Sequence, residues 1–243
     1  MRVIFTIKFT LLRMIREYIT LLLLFAVPVA LLTIFYFILQ GVTTEAGEPV
    51  FHEHAVLMVL VFQLFGGSLV MNYIQSDFFT EIKQRIYLLP FNQTLYAFSI
   101  MFCGVIYSLL LGMVLMFFSQ FVLGADWGNW PWAIYLIFLM SLLSSIVCLI
   151  FTFSVNNFKI AERLSEVYGV GFVLLAGLLF PMPENAFFEF VHSYVNPLTL
   201  SAESIYNMNQ SNTGEAWFQS NILLIASGVL FIVMLILGKR KIQ

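Results

Sequence analysis

Charge is scarce in this sequence, and that scarcity decides the class of protein. Only 10% of the 243 residues are Asp, Glu, Lys or Arg, while 61% are hydrophobic, and the mean hydropathy is +0.95. A water-soluble domain usually carries roughly 25% charged residues, so this chain has too little polar surface to cover a globule in water. It is read as an all-α integral membrane protein. The alternating apolar and polar positions of a membrane barrel are missing, which leaves helices. Cysteine is almost missing too. Cys103 and Cys148 both fall in apolar runs, where a thiol behaves as a small apolar side chain. They indicate neither a disulfide framework nor a metal site.

Several chemistries are excluded by what does not occur. No G-x-x-x-x-G-K-[ST] segment is present, so the chain does not bind ATP through a P-loop. H-E-x-x-H is also absent. His52-Glu53-His54 is the only histidine cluster. It is placed on a short outer loop, and alternating positions do not share a helix face, so no metal is assigned to it. No Ser–His–Asp set is suggested, and His192 beside Ser193 carries little weight because triads are defined by geometry. No charged residue lies deep in an apolar run, which argues against a proton-coupled pump or an ion channel. The expectation is a chain with no catalytic residue, no metal, no cofactor of its own and no nucleic-acid partner.

What is present is apolar length. A membrane span needs about 20 mostly apolar residues, and six stretches qualify: 18–39, 55–76, 96–123, 132–153, 166–180 and 220–238. The fifth is the shortest and is interrupted by Gly169, Gly171 and Gly177. The first is too long for a signal-peptide core and has no small-residue cleavage site behind it. All 11 basic residues fall on one side of this map. Arg2, Lys8, Arg13 and Arg16 precede the first span, and Lys83 and Arg85 follow the second. Lys159 and Arg163 follow the fourth, and Lys239, Arg240 and Lys241 follow the sixth. The other three loops hold none and carry Glu45, Glu48, Glu53, Asp126, Glu184, Glu189, Glu203 and Glu215 instead. By the positive-inside rule both termini are cytoplasmic in a multi-pass protein of the cell membrane. Trp127, Trp130 and Trp132 are expected to anchor the outer interface.

Residues 1–243 read as one transmembrane domain with three special segments. In 1–17, Arg2, Arg13 and Arg16 share a helical face, as in a helix lying along the cytoplasmic interface. Segment 77–91 concentrates Asp77, Glu81, Lys83 and Arg85. As a helix it places Phe78, Ile82, Arg85 and Leu89 on one side, and Pro90 ends it. It is either a helix offered to a soluble partner or a solvated loop. Segment 181–217 begins with Pro181 and Pro183 and is too broken by polar residues to cross a bilayer. Two short helices that dip into the outer leaflet, near 185–192 and 197–207, fit its length. Within the spans, Gly66, Gly67, Ser141, Ser144 and Ser145 suit close helix contact. Gln63, near mid-membrane, and Asn72 are candidates to line a pathway.

The combination resembles the permease subunits of type-2 ABC transporters. EIKQRIYLLPFNQTLYAFS is similar to that family's glutamate-led, leucine-proline-ended coupling segment. VNPLTLSAESIYN is similar to its Asn-Pro-Leu-Thr stretch before the last span, and PMPEN after the fifth span also fits. The resemblance implies six transmembrane helices with an interfacial N-terminal helix, a cytoplasmic coupling helix and an outer re-entrant pair. It implies that Glu81, Arg85, Leu89 and Pro90 receive movement from an ATPase, and that Asn196, Pro197 and Leu198 shape an outer gate. It further implies two copies of a P-loop ATPase that bind ATP and Mg, and a second permease chain, identical or paralogous. Export of an amphipathic or hydrophobic cargo (a peptide antibiotic, a drug or a lipid) would follow, with antibiotic resistance as one outcome. Two other classes stay open. One is a membrane enzyme acting at the outer face through Glu184 and Glu203, and the other is a toxin-immunity or sensor protein.

Overall fold

In a bilayer every backbone N–H and C=O must find its partner inside the protein, and this chain meets the demand with helices. The computed structural model describes residues 2–16, 18–43, 49–88, 93–177 and 185–242. The elements are α1 (Arg2–Arg16), α2 (Tyr18–Leu39), α3 (Val50–Phe78), α4 (Ile82–Tyr87), α5 (Gln93–Phe121), α6 (Trp130–Ser154) and α7 (Phe158–Leu175). Then come α8 (Ala186–Phe190), a π-helical turn (Val191–Val195), α9 (Pro197–Asn209) and α10 (Thr213–Ile242). Among the described residues the sole β pairing is a bridge between Thr43 and Pro49. Four of these helices are long and apolar enough to cross a membrane: Val50–Phe78, Gln93–Phe121, Trp130–Ser154 and Thr213–Lys241. Helix α2 adds a shorter apolar stretch, Leu24–Leu39, with Pro28 inside it. The chain is a multi-pass membrane protein.

The centre of the bundle is the contact of α3 with α5 and α6. It is built from small residues, because only a missing side chain lets helix backbones meet. A Cβ on Gly67 would lie 2.4 Å from the Ser144 carbonyl oxygen, and one on Gly66 would lie 2.2 Å from Ser108 Oγ. Polar groups lock the same contact. The Gly67 N–H donates to Ser144 Oγ at 3.0 Å, and that hydroxyl donates to the Leu64 carbonyl. Apolar clusters extend from this centre to both ends. Leu60, Leu136, Trp127, Leu198 and Ile205 pack at one end. Met14, Phe78, Ile100, Phe153 and Met234 pack at the other.

Several boundaries differ from those read in the sequence, and contacts explain them. The helix expected over 77–91 is divided. Asp77 and Phe78 form the last turn of α3, both about 1% exposed, and the chain bends at Phe79 before α4, which has only 6 residues. Leu89 and Pro90 lie outside the described residues, as do Pro181, Pro183 and Glu184. The fifth helix starts at Phe158 rather than 166. Asn157 caps it by accepting from the Lys159 N–H at 3.0 Å, and its first turns bury Ala161 and Ser165 while exposing Lys159, Arg163 and Glu166. This is an amphipathic opening that a hydropathy count passes over. Helix α10 likewise begins at Thr213 instead of 220. His52, Glu53 and His54 lie in the first turns of α3, not in a loop. Trp127 and Trp132 are core residues rather than interfacial anchors. Trp127 is fully buried with its indole N–H donating to Ser119 Oγ at 2.8 Å. Trp132 donates to Ser204 Oγ at 3.1 Å and meets the Trp217 ring edge-on at 4.7 Å.

Candidate functional site

Two polar assemblies stand at opposite ends of α3, and both tie short helices to the bundle. At one end the amphipathic α1 packs Met14 against α3 and α5, and Arg13 adds a polar clamp. Arg13, in the last turn of α1, donates through Nη1 to Asp77 Oδ1 at 2.8 Å and to Oδ2 at 3.1 Å. Its Nη2 donates to Ser76 Oγ at 3.3 Å, and its guanidinium lies 4.7 Å from the Tyr73 ring centre. The Tyr96 hydroxyl, in the first turn of α5, donates to Asp77 Oδ2 at 2.8 Å. Asp77 is thus a buried carboxylate with partners from two other helices. Partial burial alone would lower the Arg13 pKa. The hydrogen bond and charge of Asp77 outweigh it and raise the pKa above its ordinary value, so the guanidinium keeps its charge.

Beyond this clamp the chain bends out and exposes a polar surface. Thr80 Oγ1 bonds back to the Ser76 carbonyl, which turns the backbone away from α3. Helix α4 then rests on Ile86, 6% exposed, and presents Ile82 at 42% and Leu88 at 85% exposed. Glu81, Lys83 and Gln84 are exposed beside them. Of the residues singled out in the sequence, Glu81 is therefore at the surface. The side chain of Arg85, and the whole of Leu89 and Pro90, lie outside what the structure describes. Leu88 was missed by sequence reasoning. Its neighbour Leu89 fitted a continuous helical stripe from Phe78, and the bend at 79–81 shifts that stripe.

At the other end, Asn196 organises the connection between the π-helical turn and α9. Its Oδ1 accepts from the Leu198 N–H at 3.0 Å, the usual work of a helix N-cap, and Pro197 occupies the first helical position. Its Nδ2 donates to the Phe172 carbonyl at 3.0 Å. That carbonyl, in the last turn of α7, also accepts from the Ala176 N–H at 2.9 Å, so the Asn196 amide takes up its second lone pair. Asn196 and Leu198 have no exposed surface. One amide side chain therefore starts α9 and fastens it to α7. Thr199 reinforces the turn, its hydroxyl donating to the His192 carbonyl.

Around this joint lies a cleft of about 520 Å³, lined by His52, Glu53 and Val56 of α3, Asp126, His192, and Glu203 and Tyr206 of α9, among others. Its polar wall is a chain of contacts. His192 Nε2 lies 3.1 Å from Glu203 Oε1. Gln219 donates to Glu203 Oε2 at 2.8 Å and accepts from Asn207 at 3.1 Å. Both carboxylate oxygens of Glu203 are thus engaged with neighbours within the chain.

The two pathway candidates occupy different settings. Gln63 is 2% exposed and sits inside the α3, α5 and α6 contact. Its Oε1 accepts from Ser108 Oγ at 2.8 Å and Ser141 Oγ at 2.7 Å. Asn72 is exposed on α3. The serine partners of Gln63 are 45 and 78 residues away in sequence, so only the fold could identify them.

Compared with known protein families, residues 2–208 match the family described as ABC-2 type transporter. The match runs from α1 through the joint at Asn196 and ends in the last turn of α9. No curated protein matched the chain. No solved structure matched it either.

Proposed function

The chain belongs to the ABC-2 type transporter family as a permease subunit, and from that premise we propose that it forms half of an ATP-driven export pathway for a hydrophobic or amphipathic cargo. The observation that carries this reading is the outward-facing segment between α3 and α5. In it, Leu88 at 85% and Ile82 at 42% exposed stand beside the exposed Glu81 and Lys83. Apolar side chains beside charges, on a short helix outside the spans, suit docking into a cleft on a soluble protein better than solvation alone. In this proposal the segment docks on a P-loop ATPase that binds ATP and Mg, two copies per assembly. The second permease is an identical or paralogous chain.

The proposed mechanism needs no reacting group in this chain. Closure of the ATPase pair moves α4, and the Arg13–Asp77–Tyr96 clamp makes α1, α3 and α5 move with it. At the far end, the joint at Asn196, Pro197 and Leu198 couples α7 to α9, so movement of the spans changes the outer cleft. In this reading six spans cross the bilayer, both termini are cytoplasmic, and the exposed Asn72 faces the pathway between two chains. Gln63 holds that wall together from inside.

The test is charge reversal at the docking segment. Glu81→Arg with Arg85→Glu, expressed with the partner P-loop ATPase, should abolish export while leaving the amount in the membrane unchanged. Close charge pairs across an interface are worth about 1.5–7 kcal/mol, and reversal adds repulsion to their loss. Leu88→Ala should reduce the amount of ATPase that copurifies. Export at the normal rate by the double reversal would remove the coupling role from this segment.

A further inference from the structure

A second groove lies at the α1 end of the bundle, on the side away from α1, where nothing above assigns a ligand. It has a volume of about 330 Å³ and runs between the start of α5 and the end of α10. Its floor is Ile74, Leu149, Phe153 and Met234, all buried. One wall is Ala97 and Phe98 of α5, and the other is Leu235, Gly238 and Lys239 of α10. Between α5 and α10 the rings of Phe98 and Phe231 meet edge-on at 5.7 Å. Beside that contact the groove opens between the two helices. The end of α10 is fixed independently. The Lys241 ammonium donates to the Val155 carbonyl at the end of α6, and Gly238 packs on Phe153, where an added Cβ would lie 3.2 Å from the ring.

The lining is apolar along its length and cationic at its mouth, with no acidic residue among the groups that form it. Lys241 is engaged with α6, but among the described residues Lys239 is in no ion pair. Arg240, next to it, is exposed. An apolar slot that ends in an unpaired ammonium at the level of the helix ends matches one chemistry, a hydrocarbon chain attached to a phosphate. We infer that this groove binds an anionic phospholipid, with one acyl chain lying between Phe98 and Leu235 over Phe153 and its phosphate at Lys239. Charge complementarity selects an anionic lipid over a zwitterionic one, because a choline or ethanolamine group would bring a second cation to the same mouth. The inference requires only that these helices lie in a bilayer and is independent of the export reading.

The four tryptophans, Trp127, Trp130, Trp132 and Trp217, all lie at the opposite ends of α5, α6 and α10, so their signal is subtracted by a parallel measurement on the chain without the new indole. In Phe98→Trp, and separately in Leu235→Trp, a lipid with brominated chains quenches the new indole only when its chain occupies the groove. The full chain is reconstituted in bilayers with brominated phosphatidylglycerol or brominated phosphatidylcholine at equal mole fraction. Phosphatidylglycerol should associate about fivefold more strongly, the effect of one lysine near an anionic headgroup. Lys239→Gln should bring that ratio close to one, and Lys239→Arg should restore it. Ala97→Phe, which fills the slot, should remove quenching by both lipids. Equal quenching by the two lipids in both reporters would overturn the inference, as would a preference that survives Lys239→Gln. Displacement by soluble glycerol phosphate would also overturn it, by showing an anion site that needs no acyl chain.

Discussion

At Gly67 the decisive distance is the 2.4 Å between an added Cβ and the Ser144 carbonyl oxygen, because a backbone atom in the middle of a helix cannot step aside. Gly67→Ala should lower stability in detergent unfolding by about 1–3 kcal/mol, and adding Ser144→Ala should not recover it. Gly66 is the control. There the nearest atom is the Ser108 hydroxyl oxygen, with its Cβ at 3.1 Å, so Ser108→Ala should relieve most of the cost of Gly66→Ala. If the two pairs respond alike, close backbone approach is not what holds α3 to α6. Gln63→Leu removes the acceptor of two serine hydroxyls. Hydrogen bonds between membrane helices are worth about 0.6 kcal/mol on average, with a maximum near 1.7, so this change should be milder than Gly67→Ala. The sequence showed Gly66 and Gly67 as residues made for contact and Gln63 as a pathway candidate, whereas Gln63 lies buried in that contact. The sequence could not show Ser108 and Ser144 as the partners, since composition fixes which residues pack but not which helix faces them.

Among the elements, α1 tests whether a helix outside the spans belongs to the working structure. Arg13→Ala leaves the Asp77 carboxylate buried and still accepting from the Tyr96 hydroxyl. Removing one partner of a fully buried pair costs about 3–5 kcal/mol. The Arg13 side chain is 42% exposed and partly screened, so we expect about 1–3 kcal/mol here. Arg13→Ala with Asp77→Ala should cost less than the sum of the single changes, and additive losses would mean the contact carries no coupling. At the other end, Asn196→Ser keeps a capping oxygen but is too short to reach the Phe172 carbonyl. It should retain α9 while slowing transport, whereas Asn196→Ala loses the cap as well, a further cost of about 1 kcal/mol. Normal transport by Asn196→Ser would show that the α7 link plays no part in gating. Apolar length and proline positions made the helices legible in the sequence. The division at 79–81 was not, because Asp77 is held in the last turn of α3 by a partner, Arg13, that lies 64 residues away. The burial of Trp127 and Trp132 was not legible either, since the side-chain type that favours an interface also fills a core when Ser119 or Ser204 offers an acceptor.

For the whole molecule, the separation of the charges makes a direct prediction about sidedness. With Cys103 and Cys148 buried, a cysteine at the exposed Glu215 should react with an impermeant thiol reagent added to intact cells, and one at the exposed Lys159 should not. Labelling at 159 would invert the map and place the α4 segment where no cytoplasmic ATPase could reach it. One further property follows from α3. It is a single helix of 29 residues with no proline inside it, roughly 43 Å long at about 1.5 Å per residue. Its close approach to the backbone of another helix, at Gly67, divides that length into arms of about 25 Å on the His52 side and about 16 Å on the Asp77 side. A rod pinned off-centre works as a lever. Pushing the short arm by about 1 Å swings the long arm about 1.5 Å the opposite way, by the ratio of those lengths. The Gly67–Ser144 contact would then be the fulcrum, and its position would set both the gain and the reversal of direction between the two faces of the membrane.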